Sequence, residues 1–428
     1  MLNVAIIGAG VSGLTAARIL KDRYNVTVYE RADKPGGLIR CERIGGSLFH
    51  TCGGHVFNTK RQDVADWFWS QFNKSVDFVK TDRNSVVCME QALVPYPIEN
   101  HVYMLAPDTQ QRFIADCLDI VQNPRPEPDN FEAFLRGRFG DTLYNLYFKP
   151  YNEKVWRCDL KQVPLAWLEG KLPMPTVPEM LYNNINRVEE KQFVHSSFYY
   201  EKQGGSQFIA DTLAHGLDIR YNADISSLTY VGGKWRVEGE EYDKLIYCGN
   251  LKEMLPCISG VNIDAYCSDV EALASHGTTA VFCEIDANPY SWIYLPSDKY
   301  ACHRIICTGN FAPSNNAPTL RQGRITATVE FTDAISHADI LANLAQMPYH
   351  PVYLSHKFNP YTYPIQTHST RRMIRQLKHE LSKSNFYFTG RFADWEYYNM
   401  DAAMAAAMQL CADLYSLRQK QVFNNARQ

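Results

Sequence analysis

Six residues near the start, Gly8-Ala9-Gly10-Val11-Ser12-Gly13, constrain this chain more than any other feature. They follow a short apolar run, Val4 to Ile7, that reads as a strand. They lead into Leu14 to Leu20, a helical segment with the small residues Ala16 and Ala17. A second strand-like run, Asn25 to Glu30, comes next, and strand, glycine turn, helix, strand implies a parallel pair with a crossover helix. In a G-x-G-x-x-G turn the first glycine makes the tight bend, the second admits a pyrophosphate to the backbone and the third lets helix pack on strand. The anion sits on the helix N-terminus. Glu30 follows Gly10 by 20 residues, where a carboxylate binds a ribose hydroxyl. The segment therefore reads as a dinucleotide-binding βαβ unit. NAD and FAD share the adenosine diphosphate half that this motif recognises, so the turn alone does not choose between them.

With 428 residues the chain exceeds one ordinary core. Its 46% hydrophobic and 21% charged residues are those of a globular protein rather than a fibrous or disordered one. A formal charge of -3 offers no long-range attraction to nucleic acid or an anionic membrane, so any anionic ligand must be held by local cations. The 12 cysteines form no C-x-x-C pair, which leaves them as reduced thiols and suggests neither a zinc site nor a redox motif. No run approaches the roughly 20 apolar residues of a membrane span, and the N-terminal segment has no basic region with a cleavage site. A cytoplasmic protein is the expectation. The 26 tyrosines supply rings that stack on planar ligands or sugars while offering a polar tip.

Helical spacing marks residues 60 to 75 and 108 to 150, interrupted by Pro95-Tyr96-Pro97 and by the proline-rich stretch Asn123 to Pro128. Short strands follow: Asp218 to Ala223, Ser227 to Val231, Lys234 to Glu238 and Lys244 to Cys248, with a hairpin at Gly232-Gly233. More strand runs occupy Thr279 to Ile285, Ser291 to Leu295, Arg304 to Thr308 and Arg324 to Glu330. Near the end, the strand Asn385 to Thr389, then Gly390-Arg391, then an alanine-rich helix repeat the order that places a ligand at a helix start.

The second glycine pair, Lys34-Pro35-Gly36-Gly37-Leu38, resembles that of the amine oxidase-like flavoproteins and favours FAD. Within that group the chain resembles the UDP-galactopyranose mutase family. The landmarks are Phe49 to Thr59, with Gly53-Gly54-His55-Val56-Phe57 at its centre, Tyr96-Pro97-Ile98, Tyr151-Asn152-Glu153-Lys154-Val155-Trp156, Gly390-Arg391 and Glu396 to Asp401. The resemblance implies an α/β fold: a discontinuous Rossmann-like FAD-binding domain (1–90, 200–270 and 370–428), a mainly helical insertion (91–199) and an antiparallel β-rich substrate domain (271–369). It implies a chemistry in which N5 of reduced FAD is the nucleophile at the sugar's anomeric carbon and no net redox occurs, with pyranose and furanose rings interconverted. FAD would be held by Gly8, Gly10, Ser12, Gly13, Glu30, Arg31, Gly36, Gly37, Leu38, His55, Val56, Phe57, Gly390, Arg391, Asn399 and Met400. Tyr151 and Trp156 would contact the uracil or sugar, Tyr200 the nucleotide, and Arg304 the diphosphate beside Tyr363 and Tyr397. His55, Arg304 and Tyr397 are the catalytic candidates. The implied partners are a nucleotide-sugar substrate and an external flavin reductant; a homo-oligomer is compatible, and neither nucleic acid nor a membrane span is implied.

The chain departs from the family at three places. A second phosphate-binding arginine, found in bacterial mutases after a Leu-Pro pair, aligns with Pro175 of Lys171-Leu172-Pro173-Met174-Pro175. The acid expected shortly after Arg304 is replaced by Cys307 and Thr308, and the flavin-side aspartate by Asn399. Two rival readings stand beside the mutase: a flavin oxidoreductase of the amine oxidase, protoporphyrinogen oxidase or desaturase type, and a flavoprotein kept for binding. A sugar-nucleotide site gathers arginine and tyrosine; an oxidase pocket is mostly apolar.

Overall fold

The computed structural model describes residues 1–90, 92–165, 168, 175–188, 197–367 and 369–425, with side chains described as far as residue 416. Its organising element is a five-stranded parallel sheet in the order Phe386–Phe388, Lys244–Tyr247, Asn3–Ile7, Asn25–Tyr29, Asp218–Arg220. The expected βαβ unit is there: β1 (Asn3–Ile7), α1 (Val11–Leu20) and β2 (Asn25–Tyr29). A central parallel strand is buried on both faces, and β1 shows it. Val4 and Ile6 face a layer formed by α1, the helix Ser206–Ala214 and the helix Met400–Asn425, while Ala5 and Ile7 face the opposite core with Trp235, Tyr242 and Leu377.

That opposite face is covered by a four-stranded sheet and by the helix Thr370–Ser382. The hairpin expected at Gly232-Gly233 forms part of this sheet, pairing Val231 with Lys234. A seven-stranded, mostly antiparallel sheet makes the second large layer, in the order Val352–Pro364, Ser275–Asp286, Arg324–Thr332, Arg304–Ile306, Trp292–Tyr294, Ser85–Cys88, Leu93–Pro95. Strand 85–88 and strand 93–95 join it by a parallel pairing of Val86 with Ile293.

Helices Pro107–Gln122, Phe131–Leu143, Lys149–Trp156 and Val177–Asn186 pack beside this sheet around Phe113, Phe139, Tyr144 and Met180. A wide π turn, Tyr144–Phe148, precedes Lys149–Trp156. Segment 171–174, where the second arginine was sought, lies outside the described residues, although Pro175 itself is described. Among the described residues no helix is long and apolar enough to cross a membrane.

Candidate functional site

The glycine turn is built as its spacing demands. Gly8 has φ 103° and donates its N–H to Tyr29 O at 2.7 Å. A Cβ on Gly13 would lie 1.9 Å from the Gly8 carbonyl oxygen, so no other residue lets α1 start so close to β1. The second glycine pair closes over the first. Gly36 N–H donates to Ala9 O at 2.8 Å, and a Cβ on Gly37 would come within 3.3 Å of the Gly10 Cα. Glu30 is buried, its Oε2 accepting from Ala9 N–H (2.7 Å) and its Oε1 from Ala32 N–H (3.0 Å). A carboxylate has about four lone-pair sites, so capacity remains for a ribose hydroxyl.

From the C-terminal side, Gly390 (φ 121°) brings its backbone against Ser12, whose Oγ would be 3.2 Å from a Cβ there. Ser12 donates to Ala403 O at 3.4 Å, tying the start of α1 to the first turn of Met400–Asn425, so two helix N-termini lie close together beside Gly390. Asn399 is exposed just before that helix and Met400 is buried in the core. Four of the residues expected to hold the cofactor make contacts of their own within the protein. The Arg31 side chain is 62% exposed and pairs with Glu253 at 3.1 Å. Phe57 stacks on Phe68 with centroids 3.6 Å apart, inside the helical layer. Val56 packs against the core shared by the helices Pro107–Gln122 to Val177–Asn186 and the seven-stranded sheet. Leu38 is half-buried against the opposite core.

His55 lies in the loop that follows Gly53-Gly54, its ring 6.1 Å from that of His50. Its Nε2 is buried without a hydrogen-bond partner among the described residues. Burial, together with the Arg391 guanidinium, lowers its pKa to about 4, so the ring is neutral at pH 7. A histidine responding near neutral pH is therefore not what this environment produces in the chain alone. Cys52, in the same loop, is pushed by burial to a pKa of about 12 and is an inert thiol.

Beyond the loop, residues from four elements converge. Arg304 on Arg304–Ile306 forms a buried ion pair with Glu330, its register partner on Arg324–Thr332, and its Nη2 lies 3.5 Å from the Tyr363 hydroxyl. Tyr363 and Tyr397 stack in parallel, 9° between planes and 5.5 Å between centroids. Trp156 lies 6.4 Å and 6.3 Å from these two rings. The Arg391 guanidinium sits 4.2 Å from the Tyr397 centroid and donates to Thr362 O (2.9 and 2.5 Å) and Tyr398 O (2.7 Å). It thus serves the tyrosine pair. Tyr151 joins through Tyr294 (5.5 Å) and His303 (6.3 Å). Tyr200 stands apart: its hydroxyl meets His50 at 2.8 Å and Asn315 at 2.9 Å.

Glu330 is the residue that motif reading missed. Burial alone would raise its pKa, but Arg304 and His303 more than reverse this and hold it at about 2. Burial likewise opposes the Arg304 charge, yet Glu330 holds its pKa well above the usual value. The acid sought two or three positions after Arg304 is supplied across the sheet. Its signal was a glutamate in the otherwise apolar run Ile325-Thr326-Ala327-Thr328-Val329-Glu330-Phe331. Burial also raises Tyr151 and Tyr363 well above the usual tyrosine pKa, so both are hydrogen-bond donors at neutral pH. Among the described residues no cluster of three or more His, Cys, Asp or Glu could hold a metal.

A crystal structure of reduced UDP-galactopyranose mutase superposes with a TM-score of 0.85 at 22% identity, covering 97% of this chain and 96% of that one. This chain has the fold of UDP-galactopyranose mutase. The resemblance read from His55, Trp156 and Gly390-Arg391 thus holds over nearly the whole mutase fold. A dTDP-fucopyranose mutase of Escherichia coli is 23% identical over 98% of this chain and 100% of its own length. A UDP-galactopyranose mutase of Mycoplasma genitalium is 22% identical over 97% of this chain and 95% of its own. A family model described as an NAD(P)-binding Rossmann-like domain matches residues 6–72 of the mutase fold, the glycine cradle itself.

Proposed function

We propose that this protein is an FAD-dependent nucleotide-sugar mutase that interconverts pyranose and furanose rings. One observation carries the reading: Arg304, Tyr363, Tyr397 and Trp156 converge beside the histidine loop, giving a cationic and aromatic site where an oxidase pocket would be mostly apolar. The full-length relatives named as mutases support it. The glycine cradle and the unpartnered Nε2 of His55 fit FAD, held by Gly8, Gly10, Gly13, Glu30, Gly36, Gly37 and Gly390. When bound in its reduced form, FAD supplies the nucleophile for the anomeric carbon.

The protein's own groups do the rest. Arg304 binds the diphosphate, its fork aimed by Glu330 so that charge stays on the guanidinium at every working pH. Tyr363 and Tyr397 donate to phosphate oxygens, and Trp156 with Tyr151 covers the uracil or sugar and excludes water. His55, neutral, offers Nε2 to the cofactor. We assign the FAD domain to 1–90, 200–270 and 370–428, the insertion to 91–199 and the substrate domain to 271–369. A cytoplasmic setting with an external reductant completes the proposal.

Anaerobic, dithionite-reduced protein incubated with UDP- and dTDP-linked hexoses should isomerise one of them through many turnovers while consuming no reductant. Oxidised protein should be inert. Hydrogen peroxide released in proportion to an oxidised amine or ring product, with no sugar isomerised, would replace the mutase by the oxidoreductase.

A further inference from the structure

The loop that carries His55 is fastened at both ends to one strand, Ser197–Glu201. At the far end the backbone of Phe57 exchanges two hydrogen bonds with Tyr199, at 3.0 and 2.9 Å. At the near end the attachment is made by side chains. His50 is fully buried, with Nε2 at 2.8 Å from the Tyr200 hydroxyl and Nδ1 at 3.1 Å from Ser206 Oγ. The Tyr200 hydroxyl also accepts from Asn315 Nδ2 at 2.9 Å, so it bridges Asn315 and His50. Ser206 donates its hydroxyl to Ile39 O at 2.7 Å, and the His55 backbone N–H itself points at His50 Nδ1, 3.4 Å away, which ties the loop directly to the buried ring. Both imidazole nitrogens of His50 thus have hydrogen-bond partners inside the core, which fixes the ring.

Between these fixed ends the loop has little freedom. Thr51 N–H and Oγ1 both donate to Arg40 O (3.0 and 3.1 Å), and Asn359 Nδ2 donates to Thr51 O at 2.7 Å. The ring neighbours of Tyr200 are His50 and Phe311, not Arg304, Tyr363, Tyr397 or Trp156. We propose that Tyr200 and His50 are positioning residues that hold the His55 loop against the flavin, and that Tyr200 is not a nucleotide contact. The proposal rests on the FAD reading given above.

Tyr200→Phe keeps the ring against Phe311 and removes only the hydroxyl, leaving His50 Nε2 and Asn315 Nδ2 without it. In the holoprotein this should raise the FAD dissociation constant about tenfold, since a buried polar group left unpaired costs about that much, and change UDP affinity by less than about twofold. The flavin absorption bands and reduction midpoint should shift as well, which a merely structural weakening would not produce. Ser206→Ala, acting at the other end of the chain, should move the same readouts in the same direction. Wild-type FAD affinity, spectrum and midpoint in Tyr200→Phe overturn the proposal, as does a loss of UDP affinity in Tyr200→Phe equal to its loss of FAD affinity. If Tyr200→Phe does not fold, Ser206→Ala decides on the same readouts. Wild-type protein that takes up no FAD would instead defeat the cofactor reading.

Discussion

Two fully buried carboxylates have opposite electrostatic surroundings, and the difference is testable. Glu330 has Arg304 and His303 beside it and a pKa held at about 2 despite burial. Glu201 has neither oxygen hydrogen-bonded among the described residues, and burial pushes it up to about 8. An unfolded glutamate titrates near 4.3, at about that value in any chain. For Glu330 the folded pKa is the lower, so its contribution to stability is fully present above about pH 4.3 and is lost as pH falls toward its folded value. For Glu201 the folded pKa is the higher, so stability is lost as pH rises from the unfolded value through about 8. Glu201→Gln should therefore raise Tm at pH 8 and change it little at pH 4, by an amount equivalent to about 1–3 kcal/mol at the alkaline end. Glu330→Gln should do the reverse, destabilising at pH 7 and losing that effect in acid. Thermal denaturation of both variants across this range checks the signs. Arg304→Ala, which removes the diphosphate cation, should weaken UDP binding to the FAD-loaded protein by about 2–5 kcal/mol in calorimetry.

At the scale of elements, the cradle tolerates no added atom at Gly13, where a Cβ would fall 1.9 Å from a carbonyl oxygen. Backbone cannot give way as a flexible side chain does, so α1 must move off β1. Gly13→Ala should lose about 1–3 kcal/mol in urea denaturation, a typical overpacking cost, and should purify without yellow cofactor. This part of the molecule was legible because its signals are local: strand, turn and helix lie within Asn3–Tyr29, and glycine roles follow from spacing. The strands on either side of Gly232-Gly233 were legible for the same reason. The long strand Val352–Pro364 and the helix Thr370–Ser382 were not read as elements at all. The strand is half-buried without clean alternation, and two prolines mark its sequence. Arg304 was legible as a candidate, but its partner Glu330 is 26 residues away and meets it only through antiparallel register. Arg31 and Phe57 were placed by position in a motif. Only the fold reveals that one faces solvent and the other the helical core.

Across the whole molecule, much of the proposed substrate site rides on the helix Lys149–Trp156, and its placement relative to the proposed cofactor site depends on how that helix is held. Lys154 supplies one such fastening. Its ammonium, on Lys149–Trp156, donates to Leu295 O (2.8 Å), Ser297 O (2.5 Å) and Cys302 O (3.3 Å) on the seven-stranded side. Tyr151 and Trp156 ride on the same helix, three residues before and two after. Three carbonyls satisfied by one charged donor make a fixed joint, because hydrogen bonds to charged groups are worth about 1.5–3 kcal/mol each when made. The glycine cradle lies in other elements altogether, on the parallel sheet. Lys154→Met retains much of the stem volume and removes the donor. It should therefore weaken UDP affinity of the reduced holoprotein by about 1–3 kcal/mol, the cost of carbonyls left unpaired, while FAD affinity stays as in the wild type. Calorimetry with UDP and fluorimetric titration with FAD measure the two separately. Equal losses at both sites would mean that the insertion and the dinucleotide domain respond as one body, and the three-part division of the chain would have to be withdrawn.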